Sequence, residues 1–172
     1  MNVGVFGSSL PAEGSRAYED ARKIGHGLAR RGATVVCGGY AGVMEAACRG
    51  AAEGGGESVG VVLAGRGRPN PWVTRALVAK DLADRLRSLR DMPGAWIFLP
   101  RGLGTLLELV WLCESIVKGE APARPLVLFG DFWNETVDTA LRESSSREGA
   151  AVLSGAIRYA ADPGQAVSLA LD

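Results

Sequence analysis

Short apolar runs that end in glycine and then give way to a helical pattern recur along this chain, and that alternation constrains the fold more than any other feature. The run NVGVFG reads as a central strand entering a loop, with SSLPAEGS as the loop itself. From Tyr18 to Arg31, Ala21, Ile24 and Leu28 fall on one helical face, and Gly32 supplies a C-terminal stop. ATVVCGG then reads as a second strand, AGVMEAACRGAAEGGG as a second helix and SVGVVLAG as a third strand. This βαβαβ order calls for a parallel sheet with right-handed crossovers.

The stretch RGRPNPWVTRALVAK interrupts the rhythm with prolines, arginines and a tryptophan, which suits a substrate-side loop before a short strand at Arg75 to Val78. A helix over Asp81 to Asp91, the strand PGAWIFLP and a long helix over Thr105 to Lys118 follow. The strand RPLVLFG, the helix FWNETVDTALRESS, the strand AIRYAAD and the helix PGQAVSLAL complete the pattern. No linker or low-complexity segment separates these elements, so residues 1–172 are expected to form one doubly wound α/β domain around a parallel sheet.

Charge and cysteine content narrow the chemistry. Nineteen basic residues balance nineteen acidic ones, so no overall field favours nucleic acid or an anionic membrane, and any anion site must be local. No apolar run approaches bilayer length and the N-terminus lacks signal-peptide character, which points to a cytoplasmic location. Cys37, Cys48 and Cys113 have neither CxxC spacing nor a nearby histidine, so disulfides and a metal site are not expected. Glycine, at 24 residues, is about twice its usual share of roughly 7%, and its concentration in turns directs attention to loops rather than repeats.

In open parallel sheets the ligand crevice lies beyond the carboxyl ends of the strands. Three turns there carry candidate binding residues. Ser8 and Ser9 follow the first strand; Gly38, Gly39 and Gly42 follow the second, where small residues admit a ligand and a helix end offers amides. The third is Arg101, Gly102, Leu103, Gly104 and Thr105, where amides, a hydroxyl and a helix dipole converge on a place for a phosphate. Neither a P-loop nor GxGxxG describes it.

Glu108 then stands among Leu106, Leu107, Leu109, Val110, Trp111 and Leu112, expected in the first turn of an almost wholly apolar helix. A carboxylate there is costly unless paired, although an acid near a helix start gains a few tenths to about 1 kcal/mol from the dipole. On the helix Asp81 to Asp91, Leu82, Leu86 and Leu89 form the expected buried stripe, Arg85 and Arg90 flank it, and Arg87 points away. This helix thereby offers Arg85 and Arg90 as candidate partners of Glu108.

The segments VGVFGSS, GGYAGVM and PRGLGTLLE, with Arg85 fifteen residues before Pro100, resemble the LOG family, also labelled lysine decarboxylase-like. The resemblance runs from about Asn2 to Phe129 and implies a Rossmann-like fold. It further implies hydrolysis of a cytokinin-type or purine nucleoside 5'-monophosphate at its N-glycosidic bond. Catalysis would fall to Glu108 and Arg85, phosphate and nucleotide binding to the three turns, without metal or cofactor, in a homodimer or larger homo-oligomer. The apolar helix carrying Trp111 suits such an interface. Cys37, Glu45 and Arg101 depart from the family pattern, Arg101 replacing the first glycine of PGGxGTxxE. The segments GVMEAACRGAAEGGG and NPWVT are equally similar to the molybdenum-cofactor carrier proteins, which bind a phosphorylated heterocycle without turnover, and that alternative stands beside the hydrolase. Decarboxylation would need a pyridoxal-phosphate lysine, and Lys23, Lys80 and Lys118 lie in no such motif.

Overall fold

In a computed structural model, which describes residues 1–143 and 147–172, the alternating runs form seven strands and seven helices. In chain order these are β1 (Asn2–Phe6), α1 (Arg16–Arg30), β2 (Thr34–Cys37), α2 (Val43–Glu53), β3 (Ser58–Leu63), β4 (Arg75–Ala79) and α3 (Leu82–Asp91). Then come β5 (Ala95–Phe98), α4 (Leu103–Val117), β6 (Leu126–Phe129), α5 (Asn134–Arg142), α6 (Arg147–Ala156), β7 (Ile157–Ala160) and α7 (Pro163–Leu171). The strands form one sheet of order β4-β3-β2-β1-β5-β6-β7, parallel throughout. This is the doubly wound α/β architecture that the alternation implied, and it is Rossmann-like, as the family resemblance implied.

A parallel sheet must be covered on both faces. Alternation along the strands feeds two cores: Val3 and Val5 pack with Ile24, Leu28, Ala47 and Val167 from α1, α2 and α7, while Phe6, Trp96 and Phe98 pack with Leu89, Leu112, Val137 and Leu153 from α3 to α6. Side-chain caps set several helix starts. Ser15 accepts from the Tyr18 amide, Asp81 from Asp84 and Asp162 from Gln165, each satisfying a donor that the first helical turn leaves open.

Several expectations are corrected. Helix α4 starts at Leu103, so Glu108 lies in its second turn and the first-turn dipole argument for it falls away. Leu82, the first residue after the Asp81 cap, is exposed; only Leu86 and Leu89 are buried. Helix α6 has no counterpart in the sequence pattern, since its glycines depress helix propensity. Gly149 nevertheless packs where a Cβ would come within 2.6 Å of Val117 Cγ1, so the small residue lets α6 lie against α4. The helix FWNETVDTALRESS ends at Arg142, and its serines 144 and 145 lie outside the described residues.

Cys37 and Cys48 meet in the core with Sγ atoms 3.4 Å apart as free thiols, beside Met44. The long apolar helix proves two-sided: Leu109, Leu112, Cys113 and Ile116 are buried, whereas Leu103, Leu107 and Val110 are exposed.

Candidate functional site

The strand order reverses between β1 and β5, so the chain leaves those neighbouring strands in opposite directions and opens a crevice beyond their carboxyl ends. A cavity of about 340 Å³ lies there, lined by Ser8, Ser9 and Leu10 after β1, Gly102 to Thr105 after β5, Met44, Arg85 and Glu108. Residues almost a hundred positions apart thus meet because the topology puts β1 and β5 side by side.

The β1 and β2 loops are tied together at Gly42. Its φ of 68° and its contact with Ser8 and Ser9 suit only glycine: a Cβ would sit 2.5 Å from the Ser8 carbonyl oxygen. The first amide of α2, Val43, donates to that carbonyl at 3.0 Å. This helix end is therefore engaged in joining two loops, and the turn contributes a wall, with Met44 facing the cavity. Gly39 lies deeper: its carbonyl accepts from the backbone and side-chain amides of Asn70 at 2.8 and 3.2 Å. Asn70, in the proline-rich loop, also reaches the Tyr40 carbonyl and so braces the turn, a role the sequence signalled only as turn chemistry.

The start of α4 differs. Gly102, at φ 102°, is the N-cap and no side chain caps the helix. The amides of Leu103, Gly104 and Thr105 have no intrahelical acceptors by the geometry of a helix start, and all three residues line the cavity. This is a favourable place for an anion. Arg101 is the one described non-glycine residue at positive φ, 75°, and its guanidinium lies over the exposed Phe132 ring at 5.7 Å rather than lining the cavity.

Arg85 is held from three directions. Its Nε donates to the Val61 carbonyl at 2.8 Å, one terminal nitrogen to the Gly38 carbonyl at 3.3 Å, and the other to Glu108 Oε1 at 3.3 Å. It also sits 5.8 Å from the centre of the Tyr40 ring. Gly38 is needed for this arrangement, since a Cβ there would collide with the Arg85 guanidinium. Both side chains of the Glu108–Arg85 pair are about nine-tenths buried. Burial pushes the Glu108 carboxyl from an ordinary 4.5 up to about 7, with the Arg85 charge and hydrogen bond pulling against it. A carboxyl that exchanges its proton near neutrality, beside a fixed cation and an amide-rich helix start, can bind a polar ligand and assist cleavage at a developing positive charge.

Of the predicted site residues, Ser8, Ser9, Arg85, Gly102, Leu103, Gly104, Thr105 and Glu108 meet at the cavity; Gly38, Gly39 and Gly42 support it from behind, and Arg101 lies outside its lining. Leu10 and Met44 line the cavity as well, and nothing in their local pattern separates a cavity wall from core or loop. Arg90 is separately engaged, with Asp91, Glu120 and Ser115.

The SLOG cluster4 family (LDcluster4) model matches residues 1–115. A search of curated proteins returns no match. Among solved structures, the fold is similar to the molybdenum cofactor binding protein of Rippkaea orientalis, with 22% identity and TM-score 0.76, covering 98% of this chain and 93% of that one. It is likewise similar to the molybdenum cofactor carrier protein of Chlamydomonas reinhardtii, with 24% identity and TM-score 0.76, covering 97% and 93%. DNA processing protein A of Streptococcus pneumoniae is similar at 16% identity and TM-score 0.62, over 97% of this chain and 60% of that one. At these identities the likenesses establish the fold alone. Among the described residues no helix is long and apolar enough to cross a membrane.

Proposed function

The chain belongs to the SLOG cluster4 family, and from that premise we propose that it hydrolyses the N-glycosidic bond of a nucleoside 5'-monophosphate, purine or cytokinin-type, to free base and ribose 5-phosphate. The buried Glu108–Arg85 pair on the wall of the switch-point cavity carries this reading. The 5'-phosphate lies against the amides of Leu103, Gly104 and Thr105, with the Ser8 and Ser9 loop on its other side. This brings the ribose to Glu108. As the bond breaks, the base leaves with the bonding pair and the sugar takes on oxocarbenium character; the Glu108 carboxylate stabilises that charge and takes a proton from the water that adds to the anomeric carbon, a proton that passes on to the departed base. Arg85 keeps the carboxylate aimed and pulls against the burial that favours its protonated form. Arg101, in leaving Phe132 for the phosphate, adds a charge-assisted contact.

The decisive assay incubates purified protein with AMP and related purine monophosphates and measures released base by chromatography. Base release by the parent and its loss in Glu108→Ala support hydrolysis; no release from any of them overturns it. A second reading is a non-catalytic carrier of a phosphorylated heterocycle such as molybdenum cofactor. It is favoured by likeness, over nearly the whole chain, to proteins described as binding or carrying that cofactor. A pterin found by mass spectrometry in freshly purified protein, together with absent base release, would select it. Under either reading the 172 residues act as one domain, and the exposed Leu103, Leu107 and Val110 of α4 pair with a second copy in a homodimer or larger assembly.

A further inference from the structure

Glu108 borders two cavities. Besides the large one, it lines a cavity of about 10 Å³ together with Phe6, Phe98, Arg90, Trp96 and Trp111. The indole N–H groups of Trp96 and Trp111 are both buried and have no acceptor among the described residues, and Trp96 is fully buried. A space of that size is at the lower limit for one water, and buried waters occur where otherwise unsatisfied polar groups converge.

We propose that Trp96 and Trp111 hold one buried water between them, and that this water donates a hydrogen bond to the Glu108 carboxyl oxygen not engaged by Arg85. The donor inventory dictates the direction. An indole only donates, so a water between two indoles uses both lone pairs as acceptor and has only hydrogens left to offer. Such a water donates more strongly to a carboxylate than to the carbonyl oxygen of a carboxylic acid, and it has no lone pair left to take the acid's O–H, so it favours the ionised form. The two tryptophans are thus positioning residues that favour the ionised form of Glu108 from within the core, while Arg85 does so from the large cavity.

Other charges around Glu108 leave that role open. Arg85 from α3 contacts it directly, and Arg90 from the same helix borders the small cavity with its guanidinium engaged by Asp91 and Glu120. From β1, β5 and α2 the cavity linings are Phe6, Phe98 and Met44, none of which titrates. The inference concerns the carboxyl itself and holds whether the large cavity turns substrate over or only binds it.

The test is a carbon NMR titration of the full chain labelled at the glutamate side-chain carboxyls, with the Glu108 signal assigned by its disappearance in Glu108→Gln. Trp111→Phe keeps the aromatic body and removes the donor, so the Glu108 midpoint should rise by about one pH unit. Trp96→Phe should move it the same way. A mere packing role for either indole would leave the midpoint in place, and an unchanged or lowered midpoint in a folded variant overturns the proposal. A high-resolution crystal structure of the unsubstituted protein supplies a check that needs no variant. Density for a water within hydrogen-bonding distance of both indole nitrogens and Glu108 supports the assignment; indoles bonded to protein atoms, or no such density, overturn it.

Discussion

At the scale of single residues, Glu108 is where stability and function pull apart. Its carboxyl titrates at about 7 in the folded chain against an ordinary 4.5, so between those values the folded state holds more protons than the unfolded one. Stability therefore falls as pH rises through that window, and above it the buried charge costs on the order of 3 kcal/mol. Glu108→Gln should accordingly be more stable than the parent at pH above 7, by up to about 3 kcal/mol, and nearly equal to it below the window. Urea denaturation at both ends measures this; the same difference at both pH values would contradict it. Under the hydrolase reading the working form is the carboxylate, so base release should rise with pH through about 7, the reverse of the stability trend. Gly38 makes a sharper steric case. Gly38→Ala drives a methyl into the Arg85 guanidinium, and an overpacked site of this kind should lose about 1–3 kcal/mol in the same denaturation assay.

At the scale of elements, α4 and α6 show what periodicity does and does not carry. The apolar residues of α4 fall all around the helix, which is why the sequence left both burial and an interface open. Only packing divides them: α4 lies on the sheet through Leu109, Leu112 and Ile116 and turns Leu107 and Val110 outward. It starts two residues before the expected Thr105: Leu103 and Gly104 look like loop in the sequence, yet Gly102 at positive φ already turns the chain into the helix. For α6 the governing quantity is space. By propensity alone Gly149→Ala should stabilise the helix by up to about 1 kcal/mol. The 2.6 Å approach to Val117 predicts the opposite, a loss of about 1–3 kcal/mol and a lower thermal midpoint. A rise in melting temperature would mean that α6 does not pack on α4 in this way.

At the scale of the whole molecule, strand order does the assembling. Because β1 lies between β2 and β5, the loops after these strands open at one end of the sheet, and Ser8, Gly42 and Gly102 become neighbours. The outward side of α4 belongs to this scale too. If Leu107 and Val110 pair with a second copy, Leu107→Glu with Val110→Glu should convert the assembly to monomers, as read by light scattering after size exclusion. An unsubstituted protein that is already monomeric would refute the pairing.

What the sequence by itself determined was the fold class and most of the residues that meet at the candidate cavity. Glycine-ended apolar runs at strand length, alternating with 3.6-residue periodicity, are local properties, and a parallel α/β sheet is the arrangement that satisfies them. Glu108 and the Gly102 to Thr105 turn were legible because their residue types are out of place in apolar surroundings or needed in a turn, whereas Arg85 was told from Arg90 only by the family resemblance, through its spacing from Pro100. The tertiary structure decided the rest: that Arg85 reaches Glu108 and two backbone carbonyls at once, that Arg101 lies over Phe132, and that two indoles share a small cavity with the carboxyl. Those facts depend on distances between elements far apart in the chain, and so on how the sheet orders its strands, which no local pattern encodes.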